Sequence, residues 1–148
     1  MRLADHLSME RMTRLEGTTK EEVLRELVRK AAESPSVHDE EELVQAIFER
    51  EEILSTGIGL GIAVPHAKIE SVEDFVITIG ISPEGVDFDA LDQTPAHIVV
   101  LIAAPVGRQR DYLGLLAQVT VTLKNPDIRS RVIAAADDPA TVLRLIGS

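Results

Sequence analysis

Cysteine is missing from all 148 residues, so the chain has no disulfide framework, no thiolate metal site and no thiol nucleophile of its own. Tryptophan is absent as well. Aromatic residues make up only 3% of the chain, so its core must be built from aliphatic side chains. Positive charge is in deficit: 15 Lys and Arg face 25 Asp and Glu, and the carboxylates concentrate between Glu16 and Glu52. The formal net charge of −10 argues against nucleic acid, whose phosphates demand a basic footprint. It argues equally against an anionic membrane surface. An acidic surface suits a basic protein partner or serves solubility alone. No apolar run approaches the length of a membrane span. Met1-Arg2-Leu3-Ala4-Asp5-His6 lacks the apolar core of a secretory signal. The expectation is a soluble cytoplasmic protein with no direct membrane insertion.

What is present suffices for one domain over residues 1–148, long enough to bury a core without staples. Thr18-Thr19-Lys20-Glu21 reads as a capping box, and Val23, Leu24, Leu27, Val28 and Ala31 then recur at helical spacing, predicting a helix over 19–33. A second helix is expected from Asp39 to Glu52, burying Leu43, Ala46, Ile47 and Phe48. Phe75 to Ile81 is apolar and β-branched and reads as a strand closed by the turn Ser82-Pro83-Glu84-Gly85. Val86-Asp87-Phe88 alternates as a short edge or hairpin strand would. His97 to Ala103 is nearly all apolar, as a strand covered on both faces requires. Leu113, Leu116, Ala117, Thr120 and Leu123 share a helical face that Asn125-Pro126 ends. A further helix spans 127–136, and Asp138-Pro139 opens a last short one. Residues 1–14 precede these elements and are expected to be loosely ordered. The fold class is α/β: a central mixed sheet with helices on both faces.

The most informative stretch runs from Ser55 through Gly57, Gly59 and Gly61 to Val64-Pro65-His66-Ala67-Lys68. Its alternating glycines permit turns and close backbone approach, and Pro65 fixes the chain just before His66. One titratable, nucleophilic imidazole is thus expected at the end of a short strand, beside a loop whose N–H groups suit an anion such as phosphate. Nucleotide readings of the glycines fail on context. A helix precedes the loop and a strand follows it, and no Gly-Lys-Ser/Thr opens a helix. His6, His38 and His97 lack comparable settings. Around His66, Pro65, the small Ala67 and Lys68 leave the ring accessible in a partly electropositive site. Neutral imidazole, with an unperturbed pKa of about 6.5, attacks phosphorus through a free lone pair. Backbone N–H groups and a guanidinium then hold the phosphoryl oxygens. Arg50 either serves as that guanidinium or is a solvated helix-end residue beside Glu51 and Glu52. A metal site formed by His66 and His97 has no paired ligand spacing behind it.

At these residues the chain resembles the fructose/mannitol-type enzyme IIA domains of the bacterial phosphoenolpyruvate-dependent sugar phosphotransferase system, which include the nitrogen-regulatory enzyme IIA. The likeness rests on Arg50-Glu51, on Ser55-Thr56-Gly57-Ile58-Gly59 and on Gly61 to His66. It extends to Gly85 through Asp92, to Leu101 through Pro105, and to Leu113-x-x-Leu116-Ala117. The resemblance implies that His66 accepts a phosphoryl group from a phosphohistidine on HPr or an HPr-like carrier. Delivery to a cysteine of a separate enzyme IIB, or a regulatory target protein that reads the phosphorylation state, completes the function. No metal and no nucleotide cofactor is implied, because positioning and charge stabilisation suffice. Arg50 and Thr56 match residues near the histidine in family members, and Ser55 and Gly57 flank Thr56 as phosphate support. The family commonly carries a second active-site histidine where this chain has Tyr112. A phenol donates a hydrogen bond but carries no positive charge near neutral pH. Arg108 or Arg110 supplies that charge, or else is a solvated loop residue. The leading expectation is a phosphoryl carrier with a regulatory output, favoured by a single domain without a fused IIB. The alternative, from a different class, is a regulatory binding module of the same fold that transfers nothing because Tyr112 has replaced the second histidine.

Overall fold

The computed structural model describes residues 1–53 and 55–147. Helix α1 (Lys20–Ala31) begins at a reciprocal cap: the Thr19 hydroxyl accepts from the Glu22 N–H, and the Glu22 carboxylate accepts from the Thr19 N–H. This box lies one residue beyond the Thr18 to Glu21 spacing expected from sequence. Two threonines precede two glutamates, so both frames satisfy the motif, and Glu22 binds the N–H groups of Thr18 and Thr19 together. Val23, Leu24, Leu27, Val28 and Ala31 form its buried stripe. Helix α2 (Glu40–Ile53) starts with the Asp39 carboxylate accepting from the Glu42 N–H at 3.1 Å. It buries Leu43, Val44 and Ile47, leaves Ala46 and Phe48 half-buried, and also buries one carboxylate, Glu51.

Among the described residues six strands form one sheet: β1 (Met12–Arg14), β2 (Gly57–Gly59), β3 (Ile62–Ala63), β4 (His66–Lys68), β5 (Val76–Val86) and β6 (Ala96–Ala104). The order is β1-β5-β6-β3-β2, with β4 also paired to β6. β5 runs antiparallel to β6, while β1 on β5, and β3 and β4 on β6, are parallel. β6 is apolar almost throughout because both its faces are covered. Its Ile98, Val100, Ile102 and Ala104 pack into one core with helices α3 (Gln109–Lys124), α4 (Pro126–Ala134) and α5 (Pro139–Gly147). Val99, Leu101 and Ala103 alternate to the other face and pack with α1 and α2. The mixed sheet with helices on both faces is therefore as the sequence implied.

Three local expectations give way to tertiary structure. Ser82-Pro83-Glu84-Gly85 does not end its strand. The Ser82 hydroxyl accepts from the Gly85 N–H at 3.0 Å, Gly85 adopts φ +89°, and β5 resumes pairing at Val86 opposite Ala96. The turn chemistry makes a bulge that adds residues to one strand without reversing the chain, so Val86 continues β5 and starts no separate hairpin strand. The buried face of α3 is Tyr112, Leu115, Val119 and Leu123, while Leu113 is 52% exposed. Both rows of apolar residues have helical spacing, and packing against the sheet selects the one that turns Tyr112 inward. Residues 1–14 are tied down by 3-10 turns at Leu3–His6 and Met9–Arg11 and by β1 on the sheet edge. The Leu3 N–H also donates to Gln118 Oε1 at 2.8 Å.

Leu27, fully buried between α1 and the sheet, tests this packing. Leu27→Ala should lower stability by about 2–5 kcal/mol through lost transfer energy and a residual cavity. Urea unfolding should then show a reduced midpoint at unchanged m-value.

Candidate functional site

Strands β3 and β4 run in succession along the same edge of β6. Ile62 and Ala63 lie opposite Ile98 and Val99, and His66, Ala67 and Lys68 lie opposite Ile102, Ala103 and Ala104. Val64-Pro65 interrupts the ladder between them. Pro65 has no N–H to give, but its carbonyl accepts from the Ile102 N–H at 3.0 Å. His66 consequently opens a strand, rather than ending one as the sequence suggested. Strand alternation turns Ala67 toward the α1–α2 core and leaves His66 and Lys68 together on the opposite side.

The interruption also frees the Val64 carbonyl, which lies 2.8 Å from His66 Nδ1. A carbonyl oxygen only accepts, so Nδ1 carries the proton and Nε2 keeps the lone pair. Burial is the main cause that lowers the His66 pKa from the ordinary 6.5, and the charges of Arg50 and Lys68 add to it. The Val64 bond and the Glu51 carboxylate oppose that shift. Near neutral pH the ring is therefore in its nucleophilic form.

Beside the ring opens a cavity of about 450 Å3, at the sheet edge where α2 from one face and α3 from the other converge. Ala46, Glu49, Arg50 and Ile53 line it from α2, His66 to Ile69 from β4 and the residue after it, and Tyr112 from α3. The Tyr112 ring is 5.4 Å from the imidazole, tilted by 48°. Only 4% of the residue is exposed, and its hydroxyl has no hydrogen-bond partner among the described residues. Burial pushes the phenol pKa up to about 12, with the Arg50 charge opposing, so the hydroxyl remains a donor across the physiological range. The Lys68 ammonium donates to Gln109 Oε1 and sits 5.1 Å from the centre of the Tyr112 ring.

The fold thus brings Arg50 and Tyr112 to His66, but it does not bring the rest of the expected set. Ser55, Thr56 and Gly57 are absent from the cavity lining. The Ser55 hydroxyl donates to the Phe88 carbonyl and accepts from the Gly57 N–H at 3.1 Å. The Thr56 N–H and hydroxyl both donate to Glu51, and the Leu60 N–H donates to Asp92 at 3.0 Å. These N–H groups, expected to receive an anion, are spent on holding the loop itself. Arg110 is exposed and outside the cavity lining, and among the described residues its side chain forms no ion pair or hydrogen bond. Arg108 is committed to Asp111 at 2.9 Å and Asp74 at 3.2 Å, over the face of Phe75.

Two residues carry more of the site than sequence reasoning assigned them. Lys68 is a cavity wall, and its signal was the two-residue strand repeat from His66. Glu51 is the buried carboxylate of α2, paired with Lys20 Nζ at 2.7 Å. Amid the glutamates of that helix nothing in its spacing distinguished it. The pairing of His66 with His97 around a metal fails on geometry. His66 lies opposite Ile102, about 16 Å along β6 from His97 at the usual strand rise. His97 Nδ1 instead donates to the Ser82 carbonyl at 2.8 Å.

The site is thus one imidazole at an interrupted edge strand of an α/β sandwich, flanked by Arg50, Lys68 and a phenol. The chain belongs to the family described as phosphoenolpyruvate-dependent sugar phosphotransferase system, EIIA 2, which it matches over residues 6–148. It is 38% identical over 128 residues to the PTS system fructose-specific EIIABC component of Bacillus subtilis, covering 86% of this chain and 20% of that protein. A nitrogen regulatory protein of Bradyrhizobium diazoefficiens is 31% identical over 126 residues, 85% of this chain and 82% of that one. The enzyme IIAMTL of Escherichia coli, solved in complex with phosphorylated enzyme IIBMTL, superposes with a TM-score of 0.81 at 28% identity, covering 95% of this chain and 96% of that one. The chain spans about a fifth of the length of the Bacillus subtilis relative. Among the described residues, no helix is long and apolar enough to cross a membrane.

The depressed pKa of His66 has a measurable sign. Its ring resonances should titrate with a midpoint below 6.5 by NMR. As pH falls from 6.5 toward that midpoint, the unfolded chain binds the proton first and stability drops. Above 6.5 this contribution is fully present. Urea unfolding of wild type and His66→Gln should diverge in that way between pH 7.5 and 5, and a midpoint above 6.5 would contradict the assignment.

Proposed function

We propose that this chain is a cytoplasmic phosphoryl carrier in which His66 Nε2 accepts the group from a phosphohistidine of an HPr-like protein. The observation that carries the reading is the bond between His66 Nδ1 and the Val64 carbonyl, which leaves Nε2 as the unprotonated nitrogen of a cavity-lining ring. The Nε2 lone pair forms the new P–N bond while the P–N bond of the donor breaks and its electron pair returns to the donor imidazole. When the donor ring enters protonated on its other nitrogen, it leaves neutral. His66 retains its Nδ1 proton and becomes the cationic ring, so no proton has to move. The Val64 carbonyl then holds a stronger, charge-assisted bond to that ring. Arg50 and Lys68 stabilise the phosphoryl oxygens electrostatically, and the Tyr112 hydroxyl supplies one directed hydrogen bond. The mechanism calls on no metal or nucleotide.

The outlet is either the cysteine of an enzyme IIB or a target protein that reads the phosphorylation state. An acceptor thiol lies outside these 148 residues, which contain no cysteine. The solved complex of enzyme IIAMTL with phosphorylated enzyme IIBMTL supports the first outlet, and the nitrogen regulatory relative supports the second.

Incubation with a phosphorylated HPr-like donor should add one acid-labile phosphoryl group per chain, and His66→Ala should add none. Equal labelling of the two proteins overturns the assignment. Tyr112→Phe removes one hydrogen bond to a charged oxygen, worth about 1.5–3 kcal/mol, and should slow labelling roughly tenfold or more. Because that hydroxyl is buried without a partner, the same variant should be no less stable than wild type in urea. No labelling by the chain's own donor, together with stable binding to a partner protein, would identify a binding module instead.

A further inference from the structure

We propose that Glu51 is a positioning residue for His66, acting through Thr56 and Val64 to aim the carbonyl that holds the Nδ1 proton. This deepens the reading of His66 as phosphoryl acceptor and rests on it. An uninterrupted series of hydrogen bonds links the two side chains. The Glu51 carboxylate accepts from both the N–H and the hydroxyl of Thr56. The Thr56 carbonyl accepts from the Val64 N–H at 3.0 Å, and the Val64 carbonyl accepts from His66 Nδ1 at 2.8 Å. Lys20 Nζ, 2.7 Å from the carboxylate, anchors the far end on the first turn of α1.

Each link removes a freedom that would otherwise reach the imidazole. Val64-Pro65 lies between two strands, so the β6 ladder does not fix the Val64 carbonyl. Thr56 is what holds the Val64 N–H. Thr56 in turn lies in the loop after α2, and Glu51 grips it by two donors at once. The Glu51 side chain is 5% exposed and that of Lys20 13%. A buried ion pair contributes little net stability beyond what an apolar pair of similar volume would give, so fold stability alone gives weak reason for this charge. At the other end of the series, a histidine's tautomer is set by the bond its second nitrogen makes. The negative charge of Glu51 also favours the cationic ring that phosphorylation creates, in keeping with its opposition to the fall in the His66 pKa.

Two readouts test this on the intact chain. Imidazole 15N shifts of His66 report its tautomer without any donor, and labelling from a phosphorylated HPr-like donor reports the rate. Wild type should show the Nδ1–H tautomer. Thr56→Val, which keeps the shape but removes the hydroxyl donor, and Glu51→Ala should both show an increased Nε2–H fraction. Their labelling should slow roughly ten- to a hundredfold, the usual effect of misplacing a reacting group by about 1 Å. Thr56→Ser should restore both properties, which a general loss of stability would not explain. Wild-type shifts and rates in folded Thr56→Val and Glu51→Ala overturn the inference. If Glu51→Ala does not fold, the Thr56→Val and Thr56→Ser pair decides it alone. If the wild-type chain takes no phosphoryl group, the carrier reading fails, and the 15N spectra still decide whether Glu51 positions the ring.

Discussion

Strand β6 is the constraint on which the site depends. One of its edges is filled along its length by β5, and the other is shared by β3 and β4 in succession. Two short parallel segments can occupy one edge only if the chain breaks step between them, and Val64-Pro65 is that break. A proline costs least where no ladder N–H is needed. The same break releases the Val64 carbonyl from sheet pairing and makes it available to the imidazole two residues on. Because β4 has no strand beyond it among the described residues, the ring lies where α2 and α3, packed on opposite faces, leave a cleft.

The electrostatics of that cleft run against those of the whole molecule. A chain of net charge −10 gathers Arg50 and Lys68 around one imidazole, where Glu49 also lines the cleft, and turns several other carboxylates to other uses. Asp111 and Asp74 hold Arg108 at the start of α3, and Glu22 and Asp39 cap α1 and α2. Glu51 is buried against Lys20 and Thr56. Burial and the two cations favour neutral His66, while the Val64 carbonyl and Glu51 favour its positively charged form. The cleft thus balances influences that favour the neutral imidazole against others that favour the charged one.

Much of this was legible in the chain before it folded. Helices announced themselves by stripes such as Val23, Leu24, Leu27 and Val28, because an amphipathic helix repeats its burial every turn. The apolar run of β6 signalled a strand covered on both faces. His66 stood out through Pro65 before it and small residues around it. The errors fell where two local readings had equal weight. Thr18 with Glu21 and Thr19 with Glu22 both make a capping box, Leu113 and Tyr112 each head an apolar row, and Ser82 to Gly85 can turn a chain or bulge it. For α3 and the bulge the choice was made by residues distant in sequence: the sheet that Tyr112 packs on and Ala96 opposite Val86.

The sequence by itself singled out His66 as the candidate residue and set the layers around it, because imidazole chemistry, hydrophobic periodicity and the geometry of proline are local properties. The tertiary structure alone decided what that imidazole meets. It turned Tyr112 inward, brought Arg50 and Lys68 to the cleft, and directed Ser55, Thr56 and Gly57 away from it into the loop's own hydrogen bonds. It also joined Lys20, Glu51, Thr56, Val64 and His66 into one series. Such bonds unite residues from α1, α2, a loop and a strand edge, and only burial of both faces of β6 brings those elements within reach of one another.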